Sequence, residues 1–76
     1  MGHRLPSLKG KEIIKALKKS GFVEIRITGS HCILKNPQTG KIIPVPLHGS
    51  KDIKRGTLFG IIELAGLSVQ EFINLL

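Results

Sequence analysis

Residues 22–48 read FVEIRITGSHCILKNPQTGKIIPVPLH, and the way their apolar residues alternate decides the fold. Over Phe22 to Thr28, Val23, Ile25 and Ile27 fall on one face while Glu24, Arg26 and Thr28 fall on the other, the pattern of a half-buried strand. Gly29-Ser30 breaks the run for two residues, and His31 to Lys35 reads as a second strand. Asn36-Pro37-Gln38-Thr39-Gly40 is a turn, because proline and asparagine favour turning and glycine accepts a positive φ. Lys41 to Val45 is a third strand. Pro44 and Pro46 have no N–H to give a ladder, which predicts that this strand lies at an edge or ends early.

Upstream, Lys9 to Lys19 has helical spacing: Ile13, Ile14 and Leu17 share one face and Lys11, Lys15, Lys18 and Lys19 take the rest. Lysines in the last turn suit the negative end of the helix dipole, and Gly21 is a natural left-handed stop. Residues 1–7, with His3, Pro6 and Ser7, read as an irregular, loose lead-in. Downstream, Leu47 to Ser50 is a loop, and a second helix runs from the Asp52–Gly56 region to Ala65, stopping at Gly66. Ser68 followed by Glu71 forms a capping box that opens a short third helix. Residues 1–76 are therefore expected to make a single α+β domain: a helix, a three-stranded antiparallel sheet, a helix and a short C-terminal helix in two layers. Double-stranded-RNA-binding domains share this order, although a fold alone does not fix function.

Charge narrows the function classes. Twelve Lys and Arg against five Asp and Glu leave a formal charge of +7 on 76 residues. A field of that sign attracts polyanions, of which nucleic acid is the commonest and an acidic membrane surface the next; an acidic protein is a third partner of the same sign. The single cysteine, Cys32, rules out an internal disulfide and a multi-cysteine zinc site, and fits a reducing cytoplasm. The apolar runs, Ile42–Leu47 and Leu58–Leu67, fall short of the ~20 residues that span a bilayer. The stretch after Met1 is polar and basic, which argues against a signal peptide.

The acids (Glu12, Glu24, Asp52, Glu63 and Glu71) are scattered over different elements, whereas metal-assisted phosphodiester cleavage gathers carboxylates around the ion. No metal or other cofactor is expected. RNA offers another route, because its own 2′-hydroxyl can attack the adjacent phosphate. Such a reaction needs a base, a cation beside the crowded phosphorane, and an acid for the leaving oxygen. Histidine suits either proton role and lysine the charge. The candidates are His31 and His48. Strand parity puts His31 and Lys35 on one face and Cys32 and Leu34 on the other, so that one phosphate is expected to meet both His31 and Lys35. By residue type and spacing alone, the plainer account of His31 is a surface histidine beside a turn, and of His48 a polar residue tying down a loop.

Leu8-Lys9-Gly10-Lys11-Glu12-Ile13-Ile14-Lys15, Gly21-Phe22, Gly29-Ser30-His31, Val45-Pro46-Leu47-His48, Lys54-Arg55-Gly56-Thr57-Leu58 and Ala65-Gly66-Leu67-Ser68 occur in the order and spacing of one family. From Leu5 onward the chain resembles the HicA (YcfA-like) toxins. The resemblance implies a double-stranded-RNA-binding-domain-like fold and a toxin that cleaves messenger RNA, arresting growth. It also implies a partner antitoxin of the HicB kind that covers the active site. It makes His31 the catalytic residue and points to Lys9, Lys11 and His48 for substrate contact; Ser30, beside that histidine, and Lys35, on its strand face, complete the residues expected to bind RNA. Cys32 departs from the polar or aromatic residue frequent after that histidine, and Met1-Gly2-His3 is not a family feature. A non-catalytic RNA-binding module of the same fold is the competing account, and a protein-interaction domain with an acidic partner a third.

Overall fold

The stripe Ile13, Ile14, Ala16 and Leu17 is what makes α1 (Gly10–Lys19) a helix with a buried side, and all four are at most 8% exposed. In a computed structural model, which describes residues 5–76, α1 is followed by β1 (Val23–Thr28), β2 (His31–Lys35) and β3 (Ile42–Pro46). Then come α2 (Arg55–Leu64) and α3 (Val69–Asn74). The strands form one antiparallel sheet in the order β1-β2-β3. The α+β arrangement is the one the sequence predicts, and Pro44 and Pro46 do lie on an edge strand.

Local chemistry sets the element ends. Glu12 Oε1 accepts from the Lys9 N–H at 2.9 Å, so Lys9 precedes α1 rather than opening it. Gly21, at φ +105°, turns the chain out of α1. Gly29 alone takes a positive φ in the β1–β2 turn, with Ser30 at negative φ, the backbone pattern of a type II′ hairpin. In the next turn Asn36 Oδ1 accepts from the Gln38 N–H at 2.9 Å. The capping box of α3 is complete: the Glu71 N–H donates to Ser68 Oγ at 3.0 Å and the Ser68 N–H to Glu71 Oε1 at 2.7 Å.

Strand parity divides the sheet into two faces. Cys32 and Leu34 of β2 and Ile43 and Val45 of β3 point inward and are fully buried. They pack with Phe22, Leu58, Ile61, Ile62 and Phe72 in one core. Burying each large aliphatic or aromatic side chain stabilises by about 1.5–3 kcal/mol.

Two sequence expectations change. β1 is not half-buried: all six of its residues are exposed, with Val23 at 49%, Ile25 at 45% and Ile27 at 61%. α1 meets this strand through the Lys18–Glu24 pair but leaves its apolar side chains uncovered, and Phe22, one residue earlier, fills the core instead. A bulge between Glu24 and Arg26 also breaks the alternation on which the expectation rests. The lead-in is irregular but not loose over its described part. Leu5 is buried with the core, and Arg55 Nη2 donates to its carbonyl oxygen at 2.8 Å. His3 and the rest of residues 1–4 lie outside the described residues.

Candidate functional site

His31 opens β2, immediately after the tight turn at Gly29-Ser30, and its side chain is exposed on the face away from the helices. Its cross-strand partners are Thr28 of β1 and Pro46 of β3. Its neighbour Cys32 points the other way, into the core. There Cys32 Sγ donates to Glu24 Oε1 at 3.4 Å, and the other carboxylate oxygen of Glu24 pairs with Lys18 Nζ. These contacts shift both groups. The hydrogen bond from Lys18, then that from Cys32, holds the Glu24 carboxyl below its ordinary range. Burial, reinforced by the facing carboxylate, pushes the Cys32 thiol up, so it stays protonated and unreactive.

Lys35 shares the outer face with His31, as parity predicts. The two stand at opposite ends of β2, however. Four residues at ~3.3 Å each separate them by roughly 13 Å, too far for one phosphate to touch both.

Cations gather instead one strand away from His31. Pro46, its partner across β3, also lines a cleft of about 430 Å³ whose other walls are His48, Lys51, Asp52, Ile53, Lys54 and Thr57. Three ties fold this loop back onto the start of α1: the Ile53 N–H donates to Leu8 O at 2.8 Å, Lys9 and Asp52 form an isolated bridge, and Lys9 Nζ reaches Asp52 Oδ1 at 3.5 Å. Gly10 lets α1 begin hard against the end of β3, since a Cβ there would collide with the Pro46 carbonyl oxygen. The backbone carbonyl of Ser30 accepts from the Leu47 N–H, fastening the turn before His31 to the segment that leads to His48.

The structure thus brings Ser30, His31, His48 and Lys9 to one end of the sheet, puts Lys11 on the exposed first turn of α1, and leaves Lys35 at the other end. Residue-by-residue reading passes over Lys51, Lys54 and Thr57. The signal available was the cation-rich run Lys51-Asp52-Ile53-Lys54-Arg55, whose Arg55 proves structural through its bond to Leu5. Most carboxylates are already engaged: Glu12 and Glu71 cap helices, Glu24 holds Cys32 and Lys18, and Asp52 meets Lys9. Among the described residues only Lys9 and Lys18 have a carboxylate partner, so the positive field is left open to solvent and ligands. No three His, Cys, Asp or Glu among the described residues gather closely enough to hold a metal ion. No described helix is long and apolar enough to cross a membrane.

A search of curated proteins returns no match. A family model described as the HicA toxin of bacterial toxin–antitoxin systems matches residues 10–67, from the first residue of α1 to just past α2, and so takes in the turn before His31, all three strands and the cleft. The chain belongs to the HicA toxin family.

Proposed function

We propose that this toxin is an endoribonuclease of the cytoplasm that cuts messenger RNA at His31 without a metal ion. The observation that carries the reading is the juxtaposition of an exposed histidine at the mouth of β2 with a cation-lined cleft one strand away, Pro46 standing between them. RNA laid across this end of the sheet places a phosphate by the imidazole and its neighbours by Lys51, Lys54 and His48, with Lys11 and Lys35 as outlying contacts.

In the reaction the 2′-oxygen forms a new bond to phosphorus and the bond from phosphorus to the 5′-oxygen breaks. The imidazole of His31 moves a proton on one side of this exchange, taking it from the 2′-hydroxyl or giving it to the leaving 5′-oxygen. Lysine charge offsets the extra negative charge on the phosphorane. The products are a 2′,3′-cyclic phosphate and a 5′-hydroxyl. The scattered, already engaged carboxylates support a mechanism that draws on histidine and lysine.

The test is end-labelled messenger RNA incubated with the protein in excess chelator. Fragments ending in cyclic phosphate are expected with the wild type and should vanish with His31→Ala. Unchanged cleavage by His31→Ala refutes the role given to that residue, and loss of cleavage on chelation restores a metal. RNA binding with no cleavage by the wild type returns the chain to a non-catalytic RNA-binding module.

A further inference from the structure

The sheet has two edges, and they are finished differently. On β3 the odd-numbered residues turn their N–H groups toward β2, a series that Leu47 continues by donating to Ser30 O. The outward positions then include Pro44 and Pro46, which have no N–H to offer. That edge is closed to a further strand. β1 is six residues long, contains no proline and pairs with a strand on one side only; α1 meets it through the Lys18–Glu24 pair, on the face and not along the free edge. It exposes Val23, Ile25 and Ile27 beside that free edge. Exposed β-branched edges pair with other chains, and the bulge between Glu24 and Arg26 with the charges beside it restricts which strands this edge accepts.

Charge and the bulge select the occupant. The flank of β1 carries Arg26, Lys19 and Lys35, none of which has a carboxylate partner among the described residues, while Lys18 is already paired with Glu24. A second copy of the chain would bring another +7 to a +7 surface. Antiparallel self-pairing centred on Ile25 would also set the two bulges against each other. An acidic strand meets neither objection.

We infer that the open edge of β1, Val23–Thr28, is where the toxin's antitoxin docks, by adding a strand whose alternate residues are apolar and acidic. Main-chain hydrogen bonds would supply affinity and the carboxylates would answer Arg26 and the nearby lysines. The position also explains inhibition. Thr28, the last residue of β1, pairs with His31, so an added strand lies two strand spacings, roughly 10 Å, from β2. The body of the partner then overhangs the path of RNA to His31. This inference rests on the proposed function only for what the docking blocks, not for where it occurs.

The test uses the purified antitoxin of the pair, identified by its rescue of growth on co-expression. Ile25→Lys and Ile27→Lys change exposed side chains and should leave RNA cleavage unchanged while weakening antitoxin binding about tenfold or more. In the wild-type complex the amides of residues 23–28 should gain hydrogen-exchange protection. Phe59→Lys, on the exposed apolar surface of α2, is the control and should bind normally. Normal binding by both β1 variants, or unprotected β1 amides, overturns the inference. So does loss of binding in Phe59→Lys alone, or a free toxin that sediments as a dimer dissolved by Ile27→Lys. A wild type that binds antitoxin through β1 but never cuts RNA refutes the proposed ribonuclease and leaves the docking edge standing.

Discussion

The inner and outer faces of the sheet are made from the same ten residues of β2 and β3, yet they do opposite work. Cys32, Leu34, Ile43 and Val45 are fully buried, while His31, Lys35, Ile42 and Pro44 lie open to solvent. One residue of register separates the two sets, because successive side chains of a strand point to opposite sides. Stability and chemistry can therefore be varied independently on this molecule, and the separation can be tested from each side.

The largest effect is expected from the outer face. His31→Ala removes the group proposed to transfer the proton and should lower cleavage by about 10²–10⁴-fold, while chemical denaturation shifts by no more than about 0.5 kcal/mol. The inner face predicts the reverse. Leu34→Ala should cost about 2–5 kcal/mol, comparable with the ~3–5 kcal/mol that a core of this size supplies, so urea unfolding should begin in native buffer. At temperatures where the variant stays folded its cleavage rate should match the wild type. A His31→Ala protein that unfolds, or a folded Leu34→Ala protein that cannot cut, would erase the division.

Substitution in the cleft sharpens the outer side. Lys51→Ala with Lys54→Ala should weaken RNA binding and flatten the dependence of log affinity on log salt by about 1–2, since each lysine neutralises one phosphate. Melting temperature should not move.

The smallest effect belongs to the contact that ties β1 to β2 from behind. The Glu24 carboxyl is held below its ordinary value, so its contribution is present above the unfolded carboxylate range and disappears as pH falls through the folded value. The Cys32 thiol is pushed up, so its contribution is present below the free-thiol range and is lost as pH rises through the folded value. Melting temperature against pH should therefore decline slightly at both ends. Glu24→Gln should flatten the acid limb, and a wild-type profile that rises below the carboxylate range would contradict the assignment.

What the sequence revealed was local. Ser68 and Glu71, Gly21, Gly66 and the Asn36–Gly40 turn act through residues at most five apart, and each stands where it was expected. The parity of β2 was equally legible, because Cys32 and Leu34 could be read against the polar residues between them. The exposure of β1 was not, since it depends on how far the helices reach across the sheet. Nor was its bulge at Ile25, which no turn residue announces. Leu5 entered the core through Arg55, fifty positions along the chain. The cleft was hidden for the same reason: Lys51 and Lys54 approach the end of the sheet only because Ile53 and Asp52 return to Leu8 and Lys9. The pairing of His31 with Lys35 over one phosphate was right in face and wrong in distance.

That return of Ile53 to Leu8 also orders events in time. The bond closes a loop of about 45 residues, whereas the β1–β2 hairpin closes across two, and loops are harder to close as they lengthen. In folding, the turn that carries His31 is therefore expected to close early and the cationic wall beside it late, once Ile53 has returned to Leu8.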